Sequence, residues 1–241
     1  MIQAQLNGTA HAAQAALREE PVAPAVLTVT GATKRWPGLS EPVLDGVDLA
    51  LPAGTATVVA GRNGVGKTTL LRVIAGAILP ESGTVRLGDL DPERDRCSYQ
   101  GRIGFLPAGD RGLYARLSVR QHLELWSRLA LLPRGERGAA VAGALDLFGL
   151  GGLAGARVDR LSLGQRQRVR LALTFLHGPD VVLLDEPLTS LDQDGSGAVT
   201  AAVDRLRMRG GCCLWASPEP PDIELGFDQE LRLENGRLSE A

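Results

Sequence analysis

Two kinds of hydrophobic pattern along the chain are typical of β-strands. Residues 26–32 (VLTVTGA) and 43–51 (VLDGVDLAL) alternate between apolar and polar side chains, as paired strands with one buried face do. Residues 55–60 (TATVVA) and 210–217 (GGCCLWAS) are continuous apolar runs, which indicate strands buried on both faces. These patterns predict paired strands with one buried face together with strands that are buried on both faces.

Helical patterns separate the strands. Residues 69–78 (TLLRVIAGAI), 117–132 (LSVRQHLELWSRLALL) and 139–150 (AAVAGALDLFGL) have helical periodicity, and residues 229–240 (QELRLENGRLSE) resemble a closing hairpin. Apolar stretches that alternate with helices predict a fold of the α/β class.

Composition narrows the class of protein. The chain has 241 residues, of which 44% are hydrophobic and 22% charged, as in a globular protein of one large or two small domains. The net charge of −2 provides no general attraction to nucleic acid or to an anionic membrane, so no nucleic-acid partner is expected. No stretch approaches the ~18 apolar residues of a membrane span, and the first residues do not resemble a signal peptide.

The cysteines and the first residues complete this picture. Cys97, Cys212 and Cys213 form neither a disulfide framework nor a metal-ligand spacing, which indicates a reducing compartment. We therefore expect a cytosolic protein. Residues 1–24 are polar and alanine-rich, and we interpret them as a flexible tail, with a short helix as the alternative.

Residues 60–69 (AGRNGVGKTT) contain the pattern G-x-x-x-x-G-K-[ST] between an apolar strand and a helix. The glycines let successive N–H groups point at phosphate oxygens, and the helix adds its positive N-terminal end. Lys67 would reach the β- and γ-phosphates, and Thr68 would offer its hydroxyl to Mg²⁺. Lys67 and Lys34 are the only lysines among 26 basic residues, and the planar fork of an arginine does not fit inside such a nest of amides. The segment predicts a nucleotide site, with an ordinary glycine-rich turn as the alternative.

Residues 180–187 (DVVLLDEP) form an apolar strand that ends in two carboxylates. Asp185 would bind Mg²⁺, directly or through its water shell, and Glu186 would polarise the attacking water as a general base. A buried strand that merely ends in acidic residues is the alternative, and the upstream phosphate loop argues against it.

Residues 161–173 (LSLGQRQRVRLAL) resemble the LSGGQ signature of ATP-binding-cassette (ABC) ATPases, and the resemblance covers about residues 26–240. Ser162 can cap the helix that follows, which leaves an anion site at the helix N-terminus. The resemblance implies a P-loop NTPase core with a parallel sheet, an antiparallel β subdomain and an α-helical insertion subdomain. It places the ABC ATPase domain at 25–241 and the helical subdomain at about 108–177.

The resemblance also implies a set of roles. ATP and Mg²⁺ would be bound between two subunits, and Asp192 of residues 190–192 (SLD) would connect the two nucleotide sites. Trp36 would stack on the adenine, with an isolated surface tryptophan as the alternative. The implied nucleotide contacts are Trp36, Gly61, Arg62, Asn63, Gly64, Val65, Gly66, Lys67, Thr68, Thr69, Ser162, Gly164, Gln165 and Asp192.

Two positions depart from the family pattern. Ala108 stands where the family usually has a glutamine, and Asp110 or a rearranged loop is the candidate replacement. Ser217, followed by Pro218, stands where the family has a histidine that holds the γ-phosphate, so Ser217 is the candidate for that catalytic role. Similar D-R-x-x-Y-x-R-L stretches occur in relatives that drive export.

These observations predict the ATP-hydrolysing subunit of a membrane transporter, resembling exporter-type (ABC-2-like) proteins. Its partners would be membrane-spanning subunits on separate chains and a second nucleotide-binding subunit, at the inner face of the cell membrane. One alternative is a degenerate module that turns over poorly and pairs with an active partner. Another is a soluble ABC ATPase without a transport role.

Overall fold

The computed structural model describes residues 27–240, so the predicted tail at residues 1–24 lies outside the described part of the chain. The described residues divide into two compact units. A sheet unit contains residues 27–109, 179–187 and 203–240, and a helical unit contains Asp110–Gly178 and Leu188–Ala202.

The sheet unit is built on a 6-stranded sheet in the order β5-β6-β7-β3-β8-β9. Its first five members in that order are parallel neighbours, and only β9 runs antiparallel, to β8. The central strands are continuous apolar runs because both faces of a parallel sheet are covered. The strands are β3 (Ala56–Ala60), β5 (Ile103–Leu106), β6 (Val181–Asp185), β7 (Cys212–Ser217), β8 (Gln229–Glu234) and β9 (Arg237–Glu240).

A second, 3-stranded antiparallel sheet belongs to the same unit, in the order β2-β1-β4. β1 (Leu27–Lys34) pairs with β2 (Leu44–Leu51) and with β4 (Ser82–Leu87). Alternating burial along β2 gives this sheet one apolar face, as its sequence pattern predicts. Two helices complete the unit, α1 (Lys67–Ile74) and the short α2 (Arg96–Gln100).

The core of the sheet unit brings side chains of both sheets and of α1 into one apolar cluster. The adjacent Cys212 and Cys213 are fully buried within β7, and Cys97 on α2 is exposed. All three are free thiols, in agreement with the expectation that they form no disulfide framework.

The helical unit contains α3 (Val119–Leu129), α4 (Arg137–Leu147) and α5 (Leu163–Phe175), which pack on one another. α3 begins with a capping box at Ser118 and is shorter than the predicted helix, because Leu131 takes a left-handed conformation with φ of 57°. α6 (Gln193–Met208) runs from the helical unit into the sheet unit. None of the helices described here is long and apolar enough to cross a membrane.

Candidate nucleotide-binding site

The phosphate loop connects the fully buried strand β3 to the N-terminus of α1. Gly66, which precedes the helix, has a φ of 120°, a conformation that favours glycine. A Cβ at this position would lie 2.8 Å from Cγ1 of Val43 and 2.9 Å from the Val43 carbonyl oxygen. Residue 66 is therefore glycine for both conformational and steric reasons, and the sequence alone shows only the first.

Lys67 is 5% exposed and donates to the backbone carbonyl oxygens of Gly61 and Arg62, the latter at 3.1 Å. Burial lowers the pKa of the Lys67 ammonium, while the carboxylates of Glu186 and Asp185 act in the opposite direction. The ammonium is thus folded back on its own loop, with two carboxylates nearby. Phosphate oxygens would offer it stronger, charge-assisted partners than the two carbonyls do.

Thr68 and Asp185 meet in the way that the predicted Mg²⁺ site requires. The Thr68 hydroxyl donates to Oδ2 of Asp185 at 2.7 Å, and Asp185 is only 2% exposed at the end of β6. A hydroxyl and a carboxylate are hard oxygen donors of the kind that Mg²⁺ prefers, so this pair fits the ion. Among residues 27–240 no group of three or more His, Cys, Asp and Glu side chains could hold a metal by itself. A bound Mg²⁺ would therefore need water and phosphate oxygens as further ligands.

Glu186 follows Asp185 with a φ of 50°, in the left-handed region that glutamate rarely adopts. Its backbone N–H donates to the Ala216 carbonyl oxygen of β7 at 2.9 Å, which helps to fix this conformation. The side chain lines the pocket that also contains Lys67 and Thr68. Strained backbone at such a position is typical of functional sites.

Trp36 forms part of an apolar wall of the same pocket, together with Leu39 and Val43. The indole Nε1–H donates to the Thr69 hydroxyl at 3.4 Å, and the Lys34 ammonium lies 5.8 Å from the ring centroid. A base placed in this pocket would find an aromatic face and aliphatic neighbours. Trp36 could be identified as a site residue from the sequence, whereas Leu39, Val43 and the position of Lys34 beside the indole ring were missed. The only sequence signal for Lys34 was that it is one of two lysines in the chain.

This pocket in the sheet unit is lined by residues of the phosphate loop, of the end of β6 and of the segment around Trp36. Its lining residues are Trp36, Leu39, Val43, Asn63, Gly64, Gly66, Lys67, Thr68, Thr69, Asp185 and Glu186. Gly61, Arg62 and Val65 belong to the same loop without lining this pocket.

The signature segment lies in the helical unit, at the N-terminus of α5. The Ser162 side chain accepts from the Gln165 N–H at 3.2 Å, and the Gln165 side chain accepts from the Ser162 N–H at 3.0 Å, which forms a capping box. Gly164 lies against another part of the unit, since a Cβ there would be 2.6 Å from the Ser190 carbonyl oxygen. Ser162, Gly164 and Gln165 line one concave surface with Asp192.

Asp192 has structural partners within its own unit. Its Oδ1 accepts from the Gly195 N–H at 2.9 Å, which caps the start of α6, and it forms a salt bridge with Arg168. The Arg168 guanidinium holds the pKa of the Asp192 carboxyl below its usual range. Arg168 was not predicted, although it lies three residues after Gln165 and therefore near it on the surface of α5.

Ser217 ends β7 beside Ala60, the last residue of β3. Its hydroxyl donates to the Glu219 carbonyl oxygen at 2.5 Å, and Ser217 is not among the described residues that line the pocket. The following Pro218 accepts from the Gly61 N–H at 3.1 Å. The segment after β7 thus touches the phosphate loop through its backbone, while the serine hydroxyl bonds within its own turn.

Asp110, the candidate replacement for the missing glutamine, lies near an arginine of the helical unit. Burial lowers the pKa of the Arg170 guanidinium, and the Asp110 carboxylate acts in the opposite direction. Arg170 is 5% exposed on α5 and donates to Oε1 of Gln167 at 2.7 Å. The Asp110 carboxylate therefore favours the charged form of a buried arginine.

Comparison with known proteins gives the family of the chain. Residues 44–189 match the family model described as ABC transporter, and the chain belongs to this family and carries its ATP-binding domain. Over 216 residues the chain is 40% identical to the phosphonates import ATP-binding protein PhnC 1 of Natronomonas pharaonis, covering 88% of this chain and 91% of that protein. It is 29% identical over 215 residues to the ABC transporter ATP-binding protein NatA of Bacillus subtilis, covering 88% and 87%. The probable multidrug ABC transporter ATP-binding protein YbhF of Escherichia coli is 33% identical over 193 residues, which span 80% of this chain but 33% of YbhF.

Solved structures agree on the fold. An ATP-binding subunit of an ABC transporter matches with a TM-score of 0.81 at 23% identity, over 89% of this chain and 90% of that one. A dimeric ATP-binding cassette in a post-hydrolysis state, bound to ADP and Pi, matches with a TM-score of 0.76 at 22% identity, over 89% and 98%. The predicted fold class, an α/β core with parallel and antiparallel sheets and a helical part, is thereby confirmed.

Proposed function

We propose that this chain is the ATP-hydrolysing subunit of a membrane exporter and that it works as a head-to-tail dimer with ATP between the subunits. One observation carries the hydrolytic part of this proposal. Lys67, Thr68, Asp185 and Glu186 converge on a single pocket of the sheet unit, beside the indole of Trp36. Phosphate-binding, metal-binding and proton-accepting groups thus lie together within reach of one nucleotide.

Each group has a distinct role in this proposal. The loop amides and the Lys67 ammonium hold the β- and γ-phosphates, so that the negative charge meets fixed donors. Thr68 and Asp185 hold Mg²⁺, which would neutralise phosphate charge when bound. Glu186 accepts a proton from the attacking water, and its φ of 50° directs the residue away from the course of β6. The apolar wall at Trp36 receives the base.

The dimer is proposed from the signature segment. Ser162 and Gly164 lie at the N-terminus of α5, where backbone amides and the helix dipole favour an anion. This surface belongs to the helical unit, whereas the phosphate loop belongs to the sheet unit. A second subunit would supply the nucleotide that the signature segment contacts, and the dimeric cassette bound to ADP and Pi supports such an arrangement.

Export is proposed from the loop after β5 and from one relative. Residues 110–117 (DRGLYARL) resemble stretches of exporter-type proteins, and YbhF is a probable multidrug transporter protein. PhnC 1, by contrast, is an import protein, so identity alone does not give the direction. The partners would be membrane-spanning subunits at the cytoplasmic face of the cell membrane. Recovery of the full chain from cell membranes together with such subunits would support transport, and a chain recovered only from the cytosol would favour the soluble alternative.

Glu186→Gln tests the hydrolytic site and the dimer together. The substitution keeps the shape of the side chain but removes the proton acceptor, so ATP should stay intact and hold two subunits together. Size-exclusion chromatography with Mg-ATP should show a dimer, and ATP turnover should fall by ~10²–10⁴-fold, the range that one general base supplies. Glu230→Gln, which changes an exposed carboxylate on β8, is the matched control and should behave as the wild type. Wild-type turnover in the Glu186→Gln variant would assign the base to another residue.

A poorly hydrolysing module remains the second candidate, because of Ser217. Its hydroxyl donates to the Glu219 carbonyl oxygen, so its only hydrogen is already used within the turn. A catalytically weak chain of this kind would need an active second subunit. Turnover of the purified chain, alone and with added partner subunits, separates the two candidates.

A further inference from the structure

His122 is a fully buried histidine on α3, and both of its ring nitrogens meet backbone groups. Nε2 accepts from the Tyr114 N–H at 2.7 Å, and Nδ1 lies 3.2 Å from the Ser118 carbonyl oxygen, one turn earlier on the helix. A carbonyl oxygen can only accept, so the ring hydrogen must be on Nδ1, and an amide N–H can only donate, so Nε2 must carry a lone pair. The two contacts together select the neutral ring in a single tautomer.

The bond from Tyr114 fastens the loop formed by residues 110–117. This loop follows Ala108, which stands where the family usually has a glutamine. Within this loop the Ala115 carbonyl accepts from Asp159 N–H at 3.0 Å, and the Leu117 carbonyl accepts from Val158 N–H at 3.1 Å. These bonds join the end of the loop to residues 158 and 159, in the segment before α5. The His122 bond is the contact that holds its middle, at Tyr114.

Three rings accompany this bond. The Tyr114 ring stacks on His122 with centroids 5.9 Å apart and an interplanar angle of 24°, and Trp126 lies 6.1 Å from each of them. Tyr114 is nevertheless 58% exposed. His122 therefore contacts the loop backbone through Nε2 and the exposed tyrosine through its ring.

We propose that His122 is a proton-sensitive latch: its neutral ring holds the 110–117 loop against α3, and protonation of Nε2 releases the loop. A protonated Nε2 would carry a hydrogen that faces the Tyr114 N–H, so two donors would oppose each other and the bond would be lost. The proton comes from solvent, and no bond between heavy atoms changes. The latch acts within one chain and needs neither nucleotide nor a partner, so it goes beyond the proposed transport function.

The surroundings of His122 favour the neutral ring. Burial lowers the pKa of His122, and the bond to the Ser118 carbonyl acts in the opposite direction. Charged groups lie on every element around it. They are Arg120, Glu124 and Arg128 on α3, Asp110, Arg111 and Arg116 on the loop, Arg157, Asp159 and Arg160 on the segment before α5, Arg137 and Asp146 on α4, and Arg166, Arg168 and Arg170 on α5. Burial and the hydrogen bond to Ser118 are the causes of this shift, so the latch depends on burial and hydrogen bonding.

Two substitutions distinguish the effect of the hydrogen-bond acceptor at Nε2 from the effect of ring stacking. His122→Phe keeps the stacked ring and lacks any acceptor, so the loop should be released at every pH. His122→Gln offers a carbonyl oxygen near the position of Nε2 and does not titrate, so the loop should stay latched at every pH. The wild type should change between these two behaviours as the pH falls below the ordinary histidine value of ~6.5.

The measurement is hydrogen exchange of the Tyr114 amide in the full chain between pH ~8 and pH ~5, corrected for intrinsic exchange. At the higher pH the Phe variant should exchange this amide at least ~5-fold faster than the wild type, the factor expected for one hydrogen bond. Amides of β3 serve as internal controls for global unfolding. Equal protection of Tyr114 in the wild type and the Phe variant would overturn the proposal, and so would a wild type whose corrected protection does not fall with pH. If the Phe variant does not fold, the comparison of wild type with Gln across pH decides.

Discussion

Gly164→Ala tests why the signature segment contains a glycine at this position. Gly164 is the second residue of α5, and its backbone does not have a positive φ, so conformation alone does not require glycine. A Cβ would instead lie 2.6 Å from the Ser190 carbonyl oxygen, closer than real Cβ contacts come. The matched control is Gly143→Ala in α4, where a Cβ would meet nothing within 4 Å.

The two substitutions should have opposite signs. Alanine in place of glycine within a helix stabilises by about 0.5–1 kcal/mol, and Gly143→Ala should show this gain. At Gly164 the same gain is opposed by overpacking, which costs about 1–3 kcal/mol. The obstacle is a backbone oxygen, which moves only if its whole segment moves. We therefore expect Gly164→Ala to destabilise the protein by about 0–2.5 kcal/mol, from the difference of these terms.

Urea denaturation of both variants and the wild type measures these differences through the midpoint at constant slope. A displaced Ser190 segment should also move Asp192, so Gly164→Ala in the Glu186→Gln background should form less ATP-dependent dimer. Gly143→Ala in that background should form as much as the parent. Equal stabilisation by both alanines would refute the argument, because it would show that the Ser190 carbonyl does not restrict this position.

Two further predictions concern turnover and nucleotide binding. Lys67→Arg should abolish most ATP binding although it keeps the charge. A guanidinium does not fit beside the carbonyls of Gly61 and Arg62 without displacing phosphate. Wild-type affinity of the variant in a nucleotide titration would contradict this assignment. The isolated wild-type chain should hydrolyse ATP about 10²–10³-fold more slowly than an otherwise similar chain with a histidine at position 217. Ser217→His should raise the turnover if Pro218 leaves room for the ring. Rapid wild-type turnover would show that another group replaces the histidine.

Much of the fold could be predicted because its strands have distinct patterns. The continuous run of β3 is buried at every position, and the alternating run of β2 has one buried face, as each pattern requires. Asn235 and Gly236 form the turn of the β8–β9 hairpin with positive φ, which such a dipeptide predicts. Helix ends were less accurate, since the predicted helix at 117–132 extends past Leu129 in an apolar run that does not reveal the turn at Leu131.

The contacts of the candidate site also divide into those that the sequence could predict and those that it could not. The convergence of Lys67, Thr68 and Asp185 in one pocket could be predicted, because each belongs to a contiguous motif at the end of a buried strand. Contacts between distant segments could not, and the bond from Tyr114 to His122 is an example, since it depends on how a loop folds back on a helix. The roles proposed for Ser217 and Trp36 remain predictions.

The arrangement of the three cysteines has a practical consequence for labelling. Burial raises the pKa of the Cys212 thiol to about 12, and it raises the pKa of Cys213 as well, so both stay protonated and out of reach at neutral pH. Cys97 is exposed on α2. Toward a maleimide dye or a spin label, the native fold is therefore a single-thiol protein without any mutagenesis. A probe attached there reports from the sheet unit, and two such probes in a dimer give one distance rather than an average over several.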